Sequence, residues 1–201
     1  MRATDDEIRE KYLERAIREL NLLAHDVQGC DQCPRGGLMP VLGSGHPQAD
    51  ILMVKTGPQA AEVEEGVAFY GRAGTALTKA LGRLRIDPLA VYGTLLAKCP
   101  CGDPALADPG CVARFAEEFA IVQPKLLVVM GADTARTIDE LRLPMAQPLP
   151  GQEGVLSRLT PSCEVLLTPD IDGALDDEAD KRAFWSAFRM VGEWWAAHPP
   201  Y

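Results

Sequence analysis

The chain has 201 residues, 47% hydrophobic and 24% charged, with a formal net charge of -9 and a pI near 4.8. That length suits one well-buried domain spanning 1–201 and is short for two, while the charge excludes broad, non-specific attraction to nucleic acid, which needs Lys and Arg to release counterions. No apolar run reaches membrane-helix length and the start, Met1-Arg2-Ala3-Thr4-Asp5-Asp6, has no signal-peptide core, so the expected location is the cytoplasm, without a membrane partner.

In chain order, residues 5–25 place Ile8, Tyr12, Leu13, Ala16, Ile17, Leu20 and Leu23 at a helical period, predicting an amphipathic helix packed on the domain. Cys30-Asp31-Gln32-Cys33-Pro34 follows in a glycine-rich loop. Six cysteines in a chain without an export signal read as ligands or buried small hydrophobes rather than disulfides. The pair Cys30 and Cys33 presents two thiolates to one centre, and Cys99 and Cys111 supply a second pair in the loop after Leu95. Four thiolates so spaced fit a tetrahedral zinc or a 4Fe-4S cluster, and spacing does not choose between them. Cys101 competes with Cys99 for the third position, and Cys163, before the apolar Val165-Leu166-Leu167, reads as a buried structural thiol.

Ile51-Leu52-Met53-Val54 reads as a buried strand. The stretch after it, Lys55 to Glu62 and on through Phe69 to Gly74, is expected to line the carboxyl end of a sheet, where open α/β folds place their ligands. Helices are predicted from Thr75 to about Leu84 and from Cys111 to Ile121, the latter turning Val112, Phe115, Phe119 and Val122 to one face. Strands are predicted around Val91 to Ala97, Leu126 to Met130 and Val165 to Leu167, with a helix from Ala132 to Leu141. Residues 144–162, rich in Pro, Gly and Ser, read as a long connection. An acidic loop, Asp170 to Asp180, reads as solvated or as repelling phosphates, and a final helix carries Phe184, Trp185, Phe188, Val191, Trp194 and Trp195 as packing residues. The order defines an α/β chain, a three-layer α/β/α sandwich with a central, mostly parallel four-stranded sheet.

Several ordered motifs, spanning about residues 20–195, resemble the iron–sulfur uracil-DNA glycosylases, family 4 of that superfamily. Cys30 to Pro34 resembles the family's opening cysteine pair. Gly43-Ser44-Gly45-His46-Pro47 resembles its glycine loop, and Ala68-Phe69-Tyr70-Gly71-Arg72-Ala73-Gly74 its Pro-Phe-x-Gly-Arg-Ala-Gly. Lys98-Cys99-Pro100 falls at the third cysteine and Cys111 at the fourth, and Pro124 to Gly131 resembles its strand and turn. The resemblance implies a 4Fe-4S cluster on Cys30, Cys33, Cys99 and Cys111 with a structural role, and a base pocket formed by Gly57, Pro58, Gln59, Phe69, Leu95 and Thr168, in which Phe69 stacks on an extruded base.

The departures fall on the chemistry. Cleaving an N-glycosidic bond requires reading the pyrimidine edge, stabilising charge on the leaving base and placing water by the sugar. In the family these tasks belong to an Asn, a His and an acidic residue; here the aligned positions are Leu95, Thr168 and Thr56. Losing one oxyanion donor alone costs about 10²–10³ in rate. Lys55 replaces the motif's first Gly and reads as a solvated lysine rather than a nucleophile; Glu62 aligns with a peripheral acid, and His46 is the histidine whose loop is expected to approach the cleft. The expectation is a monomeric binding or accessory protein related to DNA repair, without normal uracil excision, whose partner is single-stranded or damaged DNA or a protein. The alternative is a divergent DNA glycosylase acting on uracil or another damaged base.

Overall fold

A computed structural model of the chain describes residues 4–198; the first three, on which the export reading partly rests, lie outside them. Strands β1 (Ser44–Gly45), β2 (Ile51–Lys55), β3 (Val91–Leu95), β4 (Leu126–Met130), β5 (Leu156–Thr160) and β6 (Cys163–Thr168) form one sheet in the order β1-β3-β2-β4-β6-β5. The inner four are parallel, and β1 and β5 run antiparallel at the edges. The four expected strands are therefore the centre of a six-stranded sheet. The expected connection over 144–162 holds β5, whose polar Ser157 and Arg158 suit an edge facing water and hid it from an apolar-run criterion.

Strand periodicity assigns each inner residue to a face. Ile51, Met53, Leu126, Val128 and Leu166 meet Leu77 and Leu81 of α3 (Arg72–Leu84) and Phe184, Phe188 and Trp194 of α7 (Glu178–Ala197). Leu52, Val54, Leu127, Val129 and Val165 meet Phe115 and Val122 of the helix Pro109–Val122 and Ala135 and Ile138 of the helix Ala132–Leu141. This is the three-layer sandwich, with each large apolar side chain so buried contributing about 1.5–3 kcal/mol before entropy is charged against it. The aromatic residues of α7 are packing residues, as the sequence implies: Phe184 and Phe188 stack with centroids 5.5 Å apart.

Helix α1 (Asp5–Gly29) runs four residues past its expected end, to the residue before Cys30. It lies against the helix Pro109–Val122 and buries Ala16, Leu23 and Val27, whereas Ile8, Tyr12 and Ile17 are exposed. The expected apolar face is thus packed only in its second half, because the body of the domain does not extend beneath the first. Among the described residues no helix is long and apolar enough to cross a membrane.

Candidate base pocket and thiol centre

Because the inner strands are parallel, their carboxyl ends lie on one edge: Lys55 pairs in register with Leu95, and Met130 with Thr168. The chain leaves β2 toward β3 on one side and β4 on the other, so a crevice opens where the order reverses. The stretch from Lys55 to Gly74 starts at this edge, where β2 ends.

Lys55 is where expectation and structure part. It is only 1% exposed, and its Nζ donates to Glu62 Oε2 at 2.8 Å and to Asp172 Oδ2 at 2.6 Å. It also lies 5.7 Å from the centre of the Phe69 ring, within cation–π range. The expectation of a solvated lysine is therefore corrected. Both carboxylates engage its Nζ inside the fold, so the group is turned to internal partners rather than to a substrate.

Glu62 is the first of its two carboxylate partners. It sits in the short helix α2 (Ala60–Glu65), fully buried. Besides the Lys55 ammonium it accepts the backbone N–H of Gln59 at 2.7 Å and of Phe69 at 2.5 Å. The second bond pins Phe69 at φ 58, a conformation uncommon for a bulky side chain. Two glycines accommodate this aromatic: a Cβ on Gly74 would fall 1.6 Å from the Phe69 carbonyl oxygen, and one on Gly93 would fall 2.5 Å from the ring. The resemblance in Gly71-Arg72-Ala73-Gly74 thus has a local cause, the close approach of helix α3 to residue 69.

The three aligned catalytic positions are all occupied by groups turned to internal partners. Thr56 Oγ1 shares a hydrogen bond of 2.7 Å with Thr134 Oγ1, which itself bonds the Met130 carbonyl. Thr168, fully buried, donates to the Pro169 carbonyl at 3.0 Å. Leu95 is fully buried in an apolar group with Val41 and Ala68, against Phe69. Gly57 and Pro58 are half-buried; a Cβ on Gly57 would meet Pro104 at 2.8 Å. Gln59 is exposed, with Nε2 3.2 Å from Asp172 Oδ2. His46 is not near the crevice: its N–H bonds the carbonyl of Val91, the first residue of β3, at the opposite end of the strand from Leu95.

The acidic loop is exposed at Asp170, Asp176, Asp177, Glu178 and Asp180 and turns only Asp172 inward. It begins in the short helix α6 (Ile171–Ala174), which presents Asp172 to Lys55. Asp170 accepts the Gly173 N–H, Asp176 pairs with Arg72 at 2.8 Å, and Asp177 caps α7 through Ala179 and Asp180. Those two N–H groups hold the Asp177 carboxyl below its ordinary range. The reading of a solvated loop is corrected at Asp172, which the pairing with Lys55 draws in.

Beside this crevice, Cys33, Cys99 and Cys111 bring their sulfurs within 4.8 Å of one another, all buried. Cys30 lines a cavity of about 300 Å³ together with Cys99 and Cys111, and Cys101 packs half-buried against the trio. Burial pushes the Cys99 thiol above its ordinary range, and neighbouring Cys111 and Cys33 push it further; burial and Cys33 raise Cys101 to about 11. Adjacent buried thiols resist ionising unless a cation offsets their charge, which is what a metal centre supplies.

The surroundings fit such a centre. The Asp108 N–H donates to Cys33 Sγ at 3.3 Å, and Arg35 clamps the Gln28 and Cys30 carbonyls while its Nη1 stays buried without a partner among the described residues. Cys99 and Cys111 Sγ are 3.9 Å apart, close to the separation of two thiolates on tetrahedral zinc with bonds of about 2.3 Å. Cys30, on the same cavity, would supply the fourth thiolate of a centre held there. Cys163 lies elsewhere, 1% exposed and raised by burial to about 12, consistent with a structural thiol.

A doubly wound α/β protein with Phe69 held at the carboxyl edge of its sheet and three converging cysteines alongside is the class these features define. The sequence matches the family model of the Uracil DNA glycosylase superfamily over residues 42–189, and the chain belongs to that superfamily. It is similar to the Type-4 uracil-DNA glycosylase of Pyrobaculum aerophilum, 29% identical over 146 residues that cover 68% of this chain and 72% of the relative. It is also similar to those of Sulfurisphaera tokodaii, 28% identical over 59% of this chain and 57% of the relative, and of Thermotoga maritima, 28% identical over 56% and 62%. Those last two alignments span little more than half the length of the relatives they match.

The sulfur geometry yields a prediction. Replacing Cys99 with Ser abolishes metal retention in anaerobically prepared protein, whereas Cys101→Ser keeps it, as read by metal and acid-labile sulfide content. Equal losses would place Cys101 among the ligands.

Proposed function

We propose that this chain is a superfamily member without normal uracil excision, acting as a binding or accessory protein related to DNA repair. The observation that carries the reading is the Lys55 ammonium over Phe69. A base stacked on that ring would need the same space, so entry requires the ammonium to leave Glu62 and Asp172. Stranding one partner of a buried pair costs about 3–5 kcal/mol. The loss of the family's acid, amide and imidazole at Thr56, Leu95 and Thr168 supports the same conclusion, since none of the three side chains is free to take up the missing role.

A divergent glycosylase would have to pay the ion-pair cost and still find an acid or a charge stabiliser in the crevice. Glu62, whose carboxylate bonds the Phe69 N–H, already accepts three internal donors. The cysteine centre is proposed to hold a 4Fe-4S cluster on Cys30, Cys33, Cys99 and Cys111. Bound there, the cluster supplies a rigid covalent tie between the loop after α1 and the loop after β3. The chain's own residues set that geometry: Arg35 fixes the first loop, and Val41 N bonds the Lys98 carbonyl next to Cys99.

The reading is tested by titrating metal-loaded protein with single-stranded oligonucleotides containing uracil or thymine at one position, at two salt concentrations. Equal affinities are expected for the two bases. A preference for uracil of about 10-fold or more, of the size a pocket built to read a base gives, would contradict it.

A further inference from the structure

A second feature is a cavity between α3 and α7, away from Lys55 and Phe69. It is about 820 Å³ and carries five cations against a single carboxylate, in a chain with an excess of acidic residues. Lys79 and Arg83 stand on the α3 wall; Lys181, Arg182 and Arg189 stand on the α7 wall. Of these, only Lys181 has a carboxylate partner among the described residues, Glu178 at 3.0 Å. The floor is apolar, made by Leu84, Leu175, Phe188 and the half-buried Trp185. At one end the helices close together: a Cβ on Gly192 would sit 2.7 Å from the Leu84 side chain.

Cations on both walls of a partly exposed apolar floor, in a chain with 29 carboxylates overall, make a local surface complementary to an acidic, apolar partner. We propose that this groove docks an acidic amphipathic segment of a partner protein, its apolar side chains on Trp185 and Leu84 and its carboxylates toward both walls. The two-sided charge decides the class of occupant. A single nucleic-acid strand has one line of phosphates and would engage one wall, whereas a helical peptide with an apolar stripe flanked by Asp and Glu presents charge to both. This inference rests on the accessory reading of the chain and gives it a partner class.

The test uses the metal-loaded full chain and a labelled synthetic helical peptide with a Leu and Phe stripe flanked on both sides by Asp and Glu. Saturable binding is expected, accompanied by a change in Trp185 fluorescence that Trp185→Phe removes, and weakening with salt. Arg83→Glu together with Arg182→Glu, both exposed positions, should weaken it about 10-fold or more while unfolding midpoint and metal content stay unchanged. Trp185→Ala should weaken it by loss of the apolar anchor. No binding, or binding indifferent to the charge reversals, overturns the proposal. So does displacement of the peptide by single-stranded DNA or anionic vesicles that bind more tightly to the same residues. None of these outcomes touches the base-pocket reading, which is judged by base preference and excision.

Discussion

Glu62→Gln is expected to destabilise the protein by about 3–5 kcal/mol, seen as a lowered urea midpoint with an unchanged slope. The carboxylate is fully buried and accepts three donors, one of them the Lys55 ammonium. A neutral amide of the same shape leaves that ammonium short of countercharge and turns an NH₂ toward groups that are themselves donors. The effect reaches function as well, because the Phe69 N–H bond that holds its positive φ is one of the three. Lys55→Met should also destabilise by about 3–5 kcal/mol, because it leaves the fully buried Glu62 carboxylate without countercharge, although its two backbone donors remain and Asp172, 18% exposed, regains water. A Glu62→Gln variant as stable as the parent would remove Glu62 from the account of how the pocket is closed.

The second large effect lies on the other face of β3. Lys98, 1% exposed, donates to Glu118 Oε2 at 2.7 Å, to Thr94 Oγ1 at 3.1 Å and to the Leu95 carbonyl at 2.8 Å. Glu118 also accepts from Thr94 at 2.7 Å and Tyr92 at 3.3 Å. Burial, reinforced by that carboxylate, drives the Tyr92 phenol above its ordinary range, so the hydroxyl remains a donor across neutral pH. Glu118→Leu strands the ammonium and should cost about 3–5 kcal/mol, whereas adding Lys98→Met should recover most of it. A double-mutant cycle measures the coupling. Lys98 immediately precedes Cys99, so the single variant should also lose metal where the double variant retains it.

Much of the fold is legible because its signals are local. Apolar runs closed by glycine or a cap residue mark the inner strands, as at Leu126 to Gly131, and helical periodicity marks α3 and α7. The edge strands are not: β1 has two residues, and β5 is polar enough to pass for a loop. Three of the four expected cluster cysteines converge, with Cys30 on the same cavity, since paired cysteines announce themselves by spacing.

The buried charges escaped for the opposite reason. Lys55 finds Glu62 across a turn and Asp172 across 117 residues, so its burial is written in no window of sequence. Glu118 shows the same limit, an acid on the face of an amphipathic helix whose partner lies 20 residues back. A usable signal was present in both cases: a lysine directly following a strand's apolar run, in a chain with an excess of carboxylates to meet it. Lys55, at the position of the first glycine in the motif that this stretch resembles, carries its ammonium to within 5.7 Å of the centre of the Phe69 ring.

The most direct measurement of the proposed loss of uracil excision is uracil release under single-turnover conditions, with metal-loaded protein in excess over single-stranded and mismatched uracil-containing DNA. The account predicts no abasic product above a protein-free control, and no difference between the parent and Thr56→Ala. Steady release of uracil by the parent, lost in Thr56→Ala, would contradict it.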